Sequence, residues 1–110
     1  MKKNKKKSEK SIKREQLKEW SIEVRKSFDN KCAVCGSDKY IQAHHILEKY
    51  VYPQFKLSPD NGIALCARCH KWGKYSAHRN SIWWAEWLKA NQYALWEVAD
   101  RRIKLHIGEK

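Results

Sequence analysis

Two Cys-x-x-Cys pairs, an alternating segment with adjacent histidines and a tryptophan-rich C-terminal third predict a small α+β fold. Its centre is expected to be a four-cysteine zinc site, flanked by an N-terminal helix and by Trp-rich C-terminal helices. The 110 residues suffice for one domain and leave little for a second core. Six tryptophans supply the large buried area per residue that a small domain needs.

Residues 1–14, MKKNKKKSEKSIKR, hold eight Lys or Arg against Glu9 alone, a net +7 within a chain total of +12. Apolar residues are almost absent there, so a disordered basic tail is expected, with the folded domain spanning 15–110. Leu17, Trp20, Val24 and Phe28 then recur three or four residues apart. This predicts a helix from about Glu15 to Phe28, stopped by the turn-prone pair Asp29-Asn30, with its apolar stripe read as core. CAVCG follows, a form suited to a tight knuckle in which the glycine relieves a strained backbone.

KYIQAHHI predicts a short strand with Tyr40, Gln42, His44 and Ile46 on one face and Ile41, Ala43 and His45 on the other. The two imidazoles therefore point opposite ways. Residues 48–60 read as an irregular loop carrying Pro53 and Pro59. DNGIALCARCHKWGK predicts a turn, a very short apolar strand and the start of a helix. Farther on, Trp83 with Trp87 and Trp84 with Leu88 are i,i+4 pairs on one helix face. A second helical stretch is expected from about Tyr93 to Ile103. The tryptophans are read as packing against the metal-bound centre, with base stacking as the alternative role.

Thirty residues separate the pair Cys32, Cys35 from the pair Cys66, Cys69. Together they supply the four thiolates of a closed tetrahedral zinc site, which has no open position and therefore holds the fold instead of performing chemistry. No apolar leader follows the charged start, and nothing approaches the ~18 consecutive apolar residues of a membrane span. The chain is expected in a reducing cytoplasm, where paired cysteines serve metals more often than disulfides. Its positive charge points to a polyanionic partner, most simply nucleic acid, with no membrane role. His70 follows Cys69 directly. On a helix, consecutive side chains diverge by about 100°, so Cys69 can face the zinc while His70 projects from an adjacent side.

CAVCG, AHHI, NGIALC and CARCH, in this order and spacing, resemble the HNH endonuclease family. More narrowly, the chain is similar to small stand-alone HNH proteins encoded by phages and prophages. The matching motifs span Cys32 to His70, about a third of the chain. The resemblance implies a ββα-metal, treble-clef-like core. It implies that His45 is the general base activating water, that His44 and His70 ligate a catalytic divalent metal, and that Asn61 orients the base. Asn-Gly is also a turn signal, and one residue can serve both roles. His78 becomes a third ligand if the chain after the helix folds back.

Two departures stand out. Many family members carry Asp where His44 stands, and two imidazoles favour Mn²⁺, Ni²⁺ or Zn²⁺ over Mg²⁺. The lysine of the family's Cys-His-x-x-Lys pattern falls one position late here, at Lys74. The implied activity is metal-dependent hydrolysis of DNA with low sequence specificity, in a bacterial host cell if the chain is phage-encoded. The alternative is a non-catalytic zinc module that binds nucleic acid. A third reading is a nuclease subunit acting within a phage packaging or recombination complex.

Overall fold

The computed structural model describes residues 8–108. The first helix, α1 (Glu9–Ser27), begins six residues before the expected Glu15. Ser8 caps it by accepting a hydrogen bond from the Ser11 amide at 3.0 Å, and Glu9 sits in the first turn where the helix dipole favours an acid. Residues 8–14 therefore cap or form α1, where a disordered tail was expected, and residues 1–7 lie outside the described residues. The helix ends where expected: Asp29 and Asn30 both adopt φ 55°, and the Asn30 amide turns back to the Arg25 carbonyl. Only Trp20 and Val24 are buried on α1, so its first two turns project as a polar helix.

The strands β1 (Ile41–His45) and β2 (Gly62–Cys66) pair antiparallel, with Ala43 opposite Ala64, His44 opposite Ile63 and His45 opposite Gly62. A two-stranded ribbon is marginal alone. Here α1 lies against it, and all of β2 is buried. The close approach of α1 depends on Gly62. A Cβ there would meet Val24 Cγ2 at 2.5 Å and Trp20 Cζ2 at 2.7 Å. Gly62 itself is extended, with φ −135°, so it serves the packing of α1 and not a tight turn.

Between the strands, the loop at 48–60 contains two 3₁₀ turns, Pro53–Phe55 and Pro59–Asn61, each opened by its proline. Beyond β2 the expected helix is only a single π-helical turn, Arg68–Trp72. The amide of Gly73 closes it onto the Arg68 carbonyl at 2.8 Å. A Cβ on Gly73 would meet that same carbonyl oxygen at 2.8 Å. The chain then reverses and zips back, Ala77 N–H to Cys69 O at 2.9 Å and His78 N–H to His70 O at 3.0 Å.

Asn80 caps α2 (Ser81–Asn91), and α3 (Tyr93–Gly108) follows after one residue, running five residues past the expected end. Both pack on each other. The core merges Ile63, Leu65, Trp84 and Leu88 with Cys32, Cys66 and Cys69, so the tryptophan helix packs against the cysteine centre as expected. One buried Trp removes roughly 150–250 Å² from water. That is worth on the order of 4–6 kcal/mol as an upper bound, a large share for a domain this small. The architecture is the expected α+β fold, with helices at both ends of a two-stranded sheet and a four-cysteine cluster between.

Candidate active site

Cys32 and Cys35 sit on the knuckle before β1, Cys66 ends β2, and Cys69 rides the π-helical turn. Their four sulfurs lie within 4.8 Å of one another, and none forms a disulfide. The Cys35 and Cys66 sulfurs are 3.7 Å apart, close to the roughly 3.8 Å edge of a tetrahedron with zinc–sulfur bonds of about 2.3 Å. Gly36, at φ 78°, makes the knuckle's sharp turn. Burial opposes ionisation of Cys35, but the Ser37 amide and the three neighbouring thiols outweigh it and bring its pKa down to about 7. Burial pushes Cys66 and Cys69 up, partly offset at Cys66 by the Cys69 amide and thiol. The Cys35 thiolate forms readily while Cys66 and Cys69 resist, which is the state a bound dication relieves. Donor set and geometry both fit zinc.

A second cluster gathers His44, His70 and His78, whose ring nitrogens also lie within 4.8 Å of one another. β1 supplies His44, the π-helical turn supplies His70, and the returning strap supplies His78. The His70 and His78 Nε2 atoms are 3.1 Å apart. The His70 Nδ1 donates to the Gln42 side-chain oxygen at 2.6 Å, which leaves His70 Nε2 as the lone pair facing the cluster. A metal-ligating histidine usually has such an outer partner. The His44 ring meets His70 and His78 edge-on at 5.0 Å each and Trp84 at 5.3 Å. Burial, then the neighbouring histidines, lowers the His44 pKa to about 3. Burial, then His78, Lys71 and His45, lowers His70 to about 4. Held neutral, His44 and His70 are ready cation ligands.

His45 faces the other side of β1. Its Nε2 lies 2.9 Å from the Lys56 carbonyl oxygen, which can only accept, so Nε2 carries the proton and Nδ1 the lone pair. The ring lies flat on Trp20, with centroids 3.9 Å apart and planes 7° from parallel. Burial lowers its pKa, the Lys56 carbonyl opposes that, and Lys49 adds to it. All four histidines line one cleft of about 670 Å³, with Trp20 and Lys71 among its walls.

Asn61 is buried, and its side-chain hydrogen bonds go to the loop backbone instead of to His45. Its Oδ1 accepts from the Leu47 amide at 2.7 Å, and its Nδ2 donates to the carbonyls of Leu47 at 3.0 Å and Phe55 at 3.2 Å. It therefore ties both arms of the loop, and its Phe55 bond fixes the residue next to the carbonyl that holds His45. The C-terminal helix adds a second tie. Arg102 pairs with Asp60 at 2.9 Å and lies over the Phe55 ring at 4.4 Å.

Residues 32–72 match the family model described as HNH endonuclease. The matched segment is a little over a third of the chain. No curated protein and no solved structure matches it.

The HNH segment contains both cysteine pairs, His44, His45, Asn61 and His70. The structure brings together every histidine that the sequence singled out. His78 joins them from outside the matched segment, because the π-helical turn ends at Gly73 and the chain folds back. Three contributors escaped sequence reasoning. Gln42 had a signal, since strand alternation placed it on the His44 face. The Lys56 carbonyl had none, because a backbone oxygen leaves no mark in the residue pattern. Trp20 read as helix core, and its period said nothing of the ring it would cover. The match points to a nuclease-type, metal-binding family that acts on nucleic acid.

Proposed function

We propose that the protein is a metal-dependent endonuclease that hydrolyses DNA phosphodiester bonds with low sequence specificity. One observation carries this reading: a single strand sends His44 into a three-imidazole cluster while His45, with its Nε2 on the Lys56 carbonyl, lines the same cleft. In this reading His44, His70 and His78 hold a divalent cation, with Gln42 fixing the His70 ring. That cation would neutralise charge on the phosphate and on the departing 3′ oxygen. Three imidazoles favour Mn²⁺, Ni²⁺ or Zn²⁺ over Mg²⁺.

His45 Nδ1 accepts the proton as a water oxygen bonds to phosphorus, while Nε2–H stays on the Lys56 carbonyl. The phosphorus–O3′ bond breaks, leaving a 5′-phosphate and, once the 3′ oxygen takes a proton from solvent, a 3′-hydroxyl. Asn61 keeps the Lys56 carbonyl in place through the loop. Lys49 and Lys71 at the cleft, together with the chain's +12 charge, support binding through phosphates rather than base edges. The resemblance to small phage-encoded proteins extends the reading to phage packaging or recombination partners in the host cytoplasm. Among the described residues, no helix is long and apolar enough to cross a membrane.

Plasmid cleavage across Mg²⁺, Mn²⁺, Ni²⁺ and Zn²⁺, run beside His45→Ala, tests the reading. Nicking by the parent in at least one metal, abolished in the variant, is expected. DNA binding with no cleavage in any metal would replace it with a non-catalytic zinc module.

A further inference from the structure

A single hydrogen bond fixes where one edge of the His45 ring points but leaves its plane free to turn about that bond. The indole of Trp20 lies parallel to the ring at 3.9 Å and blocks the rotation from one side. Trp20 is itself immobilised. It is 5% exposed, and its Nε1–H donates to the Ser58 carbonyl at 2.8 Å, on the same loop that presents Lys56. Gly62, the register partner of His45, leaves the space that the indole and Val24 fill. Three elements thus converge to hold one imidazole, and one of them, α1, lies outside the matched residues 32–72.

We infer that Trp20 is a positioning residue for the reaction: its stacked indole holds the His45 ring in the plane that aims Nδ1 at the attacking water. This rests on the reading of His45 as the base. Catalytic geometry is steep, and a misplacement of about 1 Å costs on the order of 10²-fold. The substrate's phosphates need not touch Trp20, so its effect belongs in kcat. The HNH segment without α1 would hold the zinc and the metal-ligating histidines His44 and His70 but leave the base free to turn.

The test compares Trp20→Phe with Trp20→Leu in the full-length protein, in the metal that best supports parent cleavage, with zinc content and circular dichroism confirming the fold. Both variants lose the bond to Ser58, but only Phe keeps an aromatic face. Trp20→Leu should lose roughly 10- to 100-fold in kcat with KM for DNA nearly unchanged, and Trp20→Phe should recover most of it. Should Trp20→Leu fail to fold, the parent still reports the stack. The His45 ring protons, assigned by their loss in His45→Ala, should be shifted upfield by the indole ring current. An unshifted His45 signal overturns the proposal. So does Trp20→Leu cleaving like the parent, or Trp20→Phe falling as far as Trp20→Leu, which would credit the Ser58 bond instead. If His45→Ala itself cleaves like the parent, the base assignment has failed and the Trp20 proposal falls with it. If His45→Ala is inert while Trp20→Leu is active, Trp20 alone is refuted.

Discussion

His45 is useful as a base only while it is neutral, and burial sets where that condition holds. Its pKa lies below the ordinary histidine value of about 6.5, because partial burial disfavours the charged ring more than the Lys56 carbonyl favours it. Below that pKa the ring already holds a proton and cannot take another; above it the base is ready. Cleavage should therefore rise with pH through a midpoint under about 6.5 and flatten by neutrality. His44 and His70, near 3 and 4, stay neutral through that window, so neither of them supplies the limb. A kcat–pH profile at saturating metal checks this, and a midpoint above the ordinary value would contradict it. The opposed facing of His44 and His45 was legible in the sequence, since a strand's two-residue period needs only local chain. The stack of His45 on Trp20 was not, because the partners are twenty-five residues apart and no pattern along the chain joins them.

The element that departs most from expectation is the one after β2. CARCHKWGK has helix-forming residues, yet the helix closes after one π-helical turn, because Gly73 turns extended and the strap 73–80 returns along it. Ser76, fully buried, bonds the Lys71 carbonyl at 3.3 Å and helps hold the reversal. This geometry, not helical spacing, delivers His78 to His70. The breaking glycine was visible in the sequence, but the direction of the chain beyond it depended on tertiary packing. Gly73→Ala would press a methyl group against the Arg68 carbonyl, a contact between backbone-linked atoms that cannot be relieved by a rotamer change. It should cost about 1–3 kcal/mol and weaken metal binding at the three histidines while zinc stays bound. Thermal unfolding and metal titration measure the two effects. Unchanged metal affinity would mean that the strap's path does not matter to the site.

For the whole molecule, the cysteine cluster is both core and anchor. Structural zinc sites supply about 10–16 kcal/mol of apparent binding free energy at neutral pH. Small domains have a net stability of only about 5–15 kcal/mol, so the fold should not outlast the metal. Cys66→Ser is expected to lose zinc and native circular dichroism together. The pH dependence has a definite sign. Zinc-bound thiols ionise far below the free cysteine value of about 8.5, so their contribution is lost as pH falls and zinc release and unfolding should coincide on acidification. A zinc-free variant with native-like circular dichroism would refute this. The four-cysteine centre and the flanking helices were the most legible part of the chain, because ligand spacing and helical period are local signals. The loop ties made by Asn61 and Arg102 were not, since each acts on a backbone or side chain brought near only by folding.

The division of labour between the adjacent histidines is the central claim, and one paired measurement reaches it most directly. Divalent-metal titration by calorimetry and plasmid cleavage rate are read on His45→Ala and His44→Ala, each with its structural zinc confirmed. His45→Ala should lose cleavage by about 10²–10⁴-fold and keep metal affinity at the three-histidine cluster near the parent's. His44→Ala should lose that affinity, with cleavage partly restored by excess Mn²⁺. If His45→Ala cleaves like the parent while His44→Ala binds metal normally, the assignment of base and ligand to this pair is wrong.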